Sequence, residues 1–267
     1  MTIKKLRILI MLGTMYLAFP FLAQAQTNSS FDRGSFIMKT DTLPYRILFP
    51  KKFDPQKKYP LIIVLHGAGE RGNDNEAQIK YGPKLFLNDT IRQNYPAIVV
   101  FPQCPKDDFW PNVKIDQNLI TRKTIFNFQE GGKPTCAMNL LLGLVDQMLD
   151  KPFISKKQVY IGGLSMGGMG TLEMLRRKPN TFAAAFSICG GDNTNNVKKY
   201  AKKIPLWFFH GAKDSVVPFE HSQVVVDALK AAGADPKFTI YPKDDHNSWD
   251  DAFAEPQLIP WLFSHSK

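Results

Sequence analysis

Short apolar runs recur along the chain, separated by polar, Gly-rich or Pro-rich segments. Residues 61–65 read Leu-Ile-Ile-Val-Leu and residues 97–101 read Ala-Ile-Val-Val-Phe. Unbroken runs this short predict strands covered on both faces, as in a parallel sheet. Residues 159–161, 183–188, 206–209 and 238–241 repeat the theme, and 36–49 predicts two more strands about a turn at 40–42. Between them Met138, Leu141, Val145 and Met148 fall on one helical face, residues 224–229 lie in another helix, and 256–264 predicts a C-terminal one. Strands alternating with helices predict the α/β class: a doubly wound, mainly parallel sheet of about eight strands with helices on both faces. Residues 107–135 carry no clear pattern and read as a long connection at the C-terminal edge of the sheet, too short for a second domain. A single domain is expected over 35–267, after a flexible polar lead-in at 26–34.

The N-terminus changes how the charge is read. Lys4, Lys5 and Arg7 precede an apolar run from Ile8 to Ala23, which ends in Ala23-Gln-Ala25. A basic start, an apolar middle and small residues two apart predict a secretory signal peptide over 1–25. The run is shorter than the ~18–20 residues of a membrane span, so an uncleaved anchor is the lesser reading. Cleavage leaves 242 residues and lowers the net charge from +10 to +7. The mature chain is expected to be periplasmic or extracellular, without a stable membrane anchor. With 44% hydrophobic and 22% charged residues, the chain is no disordered polymer. Its Lys and Arg are scattered rather than gathered among aromatics, so no nucleic-acid partner is expected.

Export permits disulfides. Three cysteines, Cys104, Cys136 and Cys189, leave at least one unpaired. Cys104–Cys136 is the pair to test, with three free buried thiols as the alternative. No Cys-x-x-Cys spacing points to a metal, and no metal or other cofactor is expected.

One motif carries chemistry. Gly163-x-Ser165-x-Gly167 follows an apolar strand and precedes a helical pattern, the setting of a nucleophile on a strained strand-to-helix turn. Small flanking residues give that turn room. A serine nucleophile needs a base, and the base an orienting acid. His246 follows the last predicted strand and Asp214 the one before it, in the order Ser165, Asp214, His246. His66 and His210 sit in His-Gly pairs directly after strands and read as loop braces. For a developing oxyanion, the backbone N–H of Met166 is one donor and that of Ala68 the other, with Gly69 the alternative to Ala68. Gly69, Glu70 and Arg71 also lie where a substrate would pass. Glu70 and Arg71 could equally form a structural ion pair. Trp110 and Trp249 are candidate pocket walls for sugar or phenolic rings, with core packing the competing role of each.

Four ordered motifs, Leu65-His-Gly-Ala-Gly-Glu-Arg-Gly, Gly-Gly-Leu-Ser-Met-Gly-Gly, His-Gly-Ala-Lys-Asp-x-Val-Val-Pro and His246-Asn-Ser-Trp, resemble the α/β-hydrolase superfamily. More closely, they resemble its carboxylesterase and "predicted peptidase" branch, near the feruloyl and acetylxylan esterases of carbohydrate esterase family 1. The resemblance implies an α/β-hydrolase fold and a metal-independent serine hydrolase of carboxylic esters, with Ser165, Asp214 and His246 in the roles given. No lid domain is expected within the mature length. The expected partner is a small-molecule or oligosaccharide ester. A serine peptidase of the same fold and a catalytically silent glycan-binding homologue are the rival functions.

Overall fold

The computed structural model describes residues 30–120, 122 and 124–267. The signal peptide expected at 1–25, and residues 26–29 of the lead-in, lie outside the described residues. The rest of that lead-in is structured: Phe31 is buried, and strand β1 (Asp32–Met38) begins at once. Phe31 packs edge-on against Phe101, which draws the start of the domain forward from residue 35.

The other strands are β2 (Asp41–Leu48), β3 (Tyr59–Leu65), β4 (Ile98–Pro102), β5 (Val113–Gln117), β6 (Thr124–Phe128), β7 (Ile154–Leu164), β8 (Ala184–Ile188), β9 (Leu206–Gly211) and β10 (Lys237–Tyr241). Helices are α1 (Pro83–Leu87), α2 (Asp89–Asn94), α3 (Cys136–Leu149), α4 (Met166–Arg177), α5 (Glu220–Ala231), α6 (Trp249–Ala254) and α7 (Leu258–Phe263). Eight strands form one sheet in the order β1-β2-β4-β3-β7-β8-β9-β10. β1–β2 and β2–β4 pair antiparallel, and every pairing from β4 to β10 is parallel. This is the mainly parallel sheet of eight strands that the pattern predicts, and it agrees with the α/β-hydrolase fold that the resemblance implies.

The apolar runs are continuous because the sheet is covered twice. Leu61, Ile63 and Leu65 of β3 face one core with α3, α4 and α5, while Ile62 and Val64 face a second core with α1, α6 and α7. β9 alternates likewise, with Leu206 and Phe208 against Trp207 and Phe209. Both faces are apolar, so no polar alternation survives. α3 starts on Thr135, whose side chain accepts the Met138 N–H. The predicted face of Met138, Leu141, Val145 and Met148 is buried.

The segment 107–135 differs from its reading. It contains the antiparallel hairpin β5–β6, outside the main sheet. β5 (Val-Lys-Ile-Asp-Gln) is mostly exposed, and β6 (Thr-Ile-Phe-Asn-Phe) mixes polar with half-buried apolar positions, so neither gives an unbroken apolar run. Asn193 and Asn196 tie its base to the loop after β8, through Asn193 Nδ2 to Phe128 O (3.1 Å) and Asn196 Nδ2 to Gln129 O (3.1 Å). Two short helices after β3 and the helix α6 also escaped the sequence pattern.

The Cys104–Cys136 bond offered for testing is absent, and the alternative of three buried thiols fails at Cys136. All three cysteines are free, with Cys104 buried in the core and Cys136 exposed at the start of α3. No described helix is long and apolar enough to cross a membrane.

Candidate active site

β3 neighbours β4 on one side and β7 on the other, so the chain reverses its winding direction there. At such a switch point the loops leaving two adjacent strands diverge and open a crevice. The loop after β3 carries Gly67 to Gly72, and the turn after β7 carries Ser165.

That turn is tight. Ser165 sits at φ 53° and ψ −120°, a left-handed backbone that side chains rarely adopt. Its N–H donates to Ile188 O at 2.8 Å, which holds the turn against β8. A Cβ on Gly167 would lie 2.1 Å from Leu65 O, and one on Gly163 would lie 2.5 Å from the same oxygen. The two glycines therefore let the elbow lie directly on the end of β3.

Ser165, His246 and Asp214 are joined in one hydrogen-bonded chain. His246 Nδ1 lies 2.8 Å from Asp214 Oδ2 and 3.1 Å from Oδ1. A carboxylate only accepts, so Nδ1 carries the proton and Nε2 has the free lone pair. Ser165 Oγ donates to that Nε2 at 3.0 Å. Asp214 is buried, its Oδ1 also accepting the N–H groups of Val216 (2.9 Å) and Val217 (2.8 Å). Burial alone would raise its pKa. The hydrogen bonds from His210, His246 and Val217 outweigh burial and hold the carboxyl below the usual carboxylate range.

The histidines read as braces do brace. His66 is buried, and its Nδ1–H donates to Gly67 O at 2.7 Å while Nε2 accepts the Cys104 N–H at 2.9 Å. Burial pushes its pKa down to about 4, so it stays neutral and links the loop after β3 to the end of β4. His210 is also buried, wedged between Asp214 and Ser222.

Met166 opens α4 and Ala68 opens a single 3-10 turn, Ala68–Glu70. The first N–H groups of a helix have no partner within it, and no side chain caps either end. Gly69 is exposed, with open space about it. Glu70 departs from its expected place beside the substrate. It is buried and turned inward, and a Cβ on Gly67 would lie 3.2 Å from its Oε2. Burial raises its carboxyl, against Lys80 (3.9 Å away) and the N–H groups of Gly67 and Glu70. Its partner is thus the loop backbone and Lys80. Arg71 instead donates to Ala68 O and Asp108 O and lies over Phe109.

The two tryptophans separate. Trp110 is fully buried, edge-on to His66 and against Gly170, so it is core and walls no pocket. Trp249 is half-buried and edge-on to His246, with centroids 5.2 Å apart. Among the described residues, one trio of possible metal-ligating atoms lies within 4.8 Å: Cys189, Asp214 and His246. Both His246 nitrogens are already engaged, by Ser165 and Asp214.

The chain matches the phospholipase/carboxylesterase family over residues 53–257. It is 30% identical over 200 residues to a probable carboxylesterase SOBER1-like protein of Arabidopsis thaliana, covering 70% of this chain and 72% of that one. It is 35% identical over 161 residues to the bifunctional acetylxylan esterase/xylanase XynS20E of Neocallimastix patriciarum, covering 60% of this chain and 20% of that longer protein. Among solved structures, a thermostable esterase superposes with a TM-score of 0.79 at 32% identity, over 91% of this chain and 64% of that one. The chain belongs to the phospholipase/carboxylesterase family of α/β-hydrolases and is a carboxylic ester hydrolase.

Proposed function

We propose that this protein is an exported serine esterase that removes acyl groups from acylated carbohydrates through an acyl-enzyme. The observation that carries the reading is the unbroken chain from Ser165 Oγ through His246 to Asp214, set on a strained elbow. Ser165 Oγ attacks the ester carbonyl as its proton passes to His246 Nε2. The N–H groups of Met166 and Ala68 take the oxyanion. His246 then gives its proton to the leaving alcohol oxygen as the C–O bond breaks. A water molecule, deprotonated by His246, adds to the acyl-enzyme and releases the acid and free Ser165. Asp214 keeps the imidazole in the tautomer that presents a lone pair to the serine.

The carbohydrate assignment draws on the acetylxylan esterase similarity, and export draws on the signal pattern at 1–25. The mature protein would then meet its substrate in the periplasm or outside the cell. Ser165→Ala should abolish hydrolysis of a small aryl ester and labelling by a fluorophosphonate without lowering Tm. Undiminished turnover in that variant removes the triad. A panel of acetylated and feruloylated oligosaccharides against peptides then tests the substrate class.

A further inference from the structure

The donor that Ala68 offers is one end of a peptide unit whose other end is the Gly67 carbonyl. A trans peptide is planar, so its C=O and N–H point in opposite directions and cannot be turned separately. Gly67 O is held twice, by His66 Nδ1–H at 2.7 Å and by the Glu70 N–H at 3.3 Å. Whatever fixes Gly67 therefore fixes the direction of the Ala68 N–H. Gly67 also faces the nucleophile, since a Cβ on it would lie 3.6 Å from Ser165 Cβ.

Glu70 closes on Gly67 from both ends of the residue. Its backbone N–H takes the Gly67 carbonyl, and its buried side chain folds back so that the N–H groups of Gly67 and of Glu70 itself face the carboxylate. The two oxygens divide: Oε2 lies 3.2 Å from the place of a Gly67 Cβ, and Oε1 lies 3.9 Å from Lys80 Nζ. The Lys80 side chain is 60% exposed, so solvent screens its charge and the pair holds little. The amides are the partners that fix the carboxylate.

The other side of the turn is tied down. Buried Gln103 donates from Nε2 to Glu70 O at 3.3 Å, and the Gly72 N–H donates to Cys104 O at 2.9 Å, which joins the turn to the residues after β4. Arg71 Nε donates to Ala68 O at 2.9 Å. With its own backbone anchored, the Glu70 carboxylate acts on the Gly67 end.

Resting on the esterase reading above, we propose that Glu70 is a positioning residue: its carboxylate clamps the Gly67 N–H and so holds the Gly67–Ala68 peptide with the Ala68 N–H aimed at the oxyanion. It acts through Gly67 and touches no reacting atom. The carbonyl oxygen of a bound ester is neutral, and full charge develops on it only in the transition state. Loss of the clamp therefore falls on kcat and spares KM.

The test compares Glu70→Gln, which keeps one acceptor oxygen, with Glu70→Met, which keeps the length and has none. Turnover of p-nitrophenyl acetate is divided by the Ser165 titrated to completion with a fluorophosphonate, so that inactive protein is not counted. Glu70→Met should lower kcat at least tenfold with KM within threefold, part of the about 10²–10³ that a whole oxyanion donor supplies. Glu70→Gln should stay within threefold of the parent. An aryl trifluoromethyl ketone gives a second readout: Ser165 Oγ adds to its carbonyl carbon, the proton passes to His246, and the carbonyl oxygen becomes the oxyanion. Its Ki should rise at least tenfold in Glu70→Met. If that variant does not fold, Glu70→Asp, which keeps the charge but withdraws it by one methylene, should show the same split. A raised KM with unchanged kcat would return Glu70 to direct substrate contact, and a lowered Tm with parental kcat and Ki would make it structural alone. Either result overturns the proposal. Failure of the fluorophosphonate to label Ser165 in the wild-type protein overturns the esterase reading instead.

Discussion

His210 and Asp214 meet at 3.2 Å, and neither side chain is exposed to solvent. The carboxylate oxygen nearest His246 Nδ1, Oδ2 of Asp214, thus also meets a second imidazole. His210 Nε2 also lies 2.9 Å from Val217 O, and its Nδ1 lies 2.8 Å from Ser222 Oγ, which donates to Gly190 O. One buried ring therefore joins the Asp214 loop to α5 and to the loop after β8. His210→Phe roughly keeps the volume and removes the contacts of the ring nitrogens with Asp214, Val217 and Ser222. Stability should fall by about 1–3 kcal/mol, because Ser222 and Asp214 lose a buried partner. Loss of about 1.4 kcal/mol of transition-state positioning would lower kcat roughly tenfold. Thermal melting and aryl-ester kinetics check both, and wild-type values in this variant would deny His210 its role.

The elbow and the loop after β3 should respond oppositely to one methyl group. Gly167→Ala drives a Cβ into Leu65 O, a backbone atom that cannot rotate away. Such overpacking costs about 1–3 kcal/mol, and ester turnover should be lost with it. Gly69 has nothing within 4 Å of an added Cβ. Gly69→Ala should melt within about 0.5 kcal/mol of the parent, the ordinary range for a surface change. Equal destabilisation of the two variants would contradict the packing described for the elbow.

Asp192 makes stability depend on pH. Burial lifts its carboxyl from 3.8 to about 6, against hydrogen bonds from Asn196, Asn193 and Tyr200. An unfolded chain releases this proton near 3.8, whereas the folded one keeps it until about 6. Asp192 therefore favours folding most at low pH, and that contribution is lost as pH rises through this window, by on the order of 3 kcal/mol. Asp192→Asn removes the titration, so its Tm relative to wild type should climb between pH 4 and pH 6 and then level. A difference independent of pH would show that Asp192 titrates normally.

The cysteines predict a simple count. Cys136 is exposed, whereas Cys104 and Cys189 are buried and burial pushes both thiols well above their ordinary range. A thiol reagent acts on the thiolate, so one equivalent should react quickly in the native protein and three after denaturation. One thiol after denaturation would reveal a disulfide.

Much of the site was legible because its requirements are local. A tight elbow demands small residues at Gly163 and Gly167, and parallel strands covered twice demand continuous apolar runs, so both leave marks within a few consecutive residues. The chain order of Ser165, Asp214 and His246, each just beyond a strand, could be read for the same reason. Trp110 and Trp249 could not be told apart. Each follows a strand after a few loop residues, Trp249 at the start of α6, and only packing puts one edge-on to His66 and the other edge-on to His246. The inward turn of Glu70 likewise depends on Lys80, ten residues away, and on backbone amides that no side-chain pattern reveals.

Periodicity and turn chemistry act over neighbouring residues, so the fold class, the strand succession and the positions of Ser165, Asp214 and His246 beyond strand ends could be read from the sequence alone. Tertiary structure alone decided that Cys104 and Cys136 stay apart, that β5 and β6 pair and that His210 supports Asp214. Each of these depends on distances between segments remote in the chain, which the winding of the sheet sets and local composition does not encode.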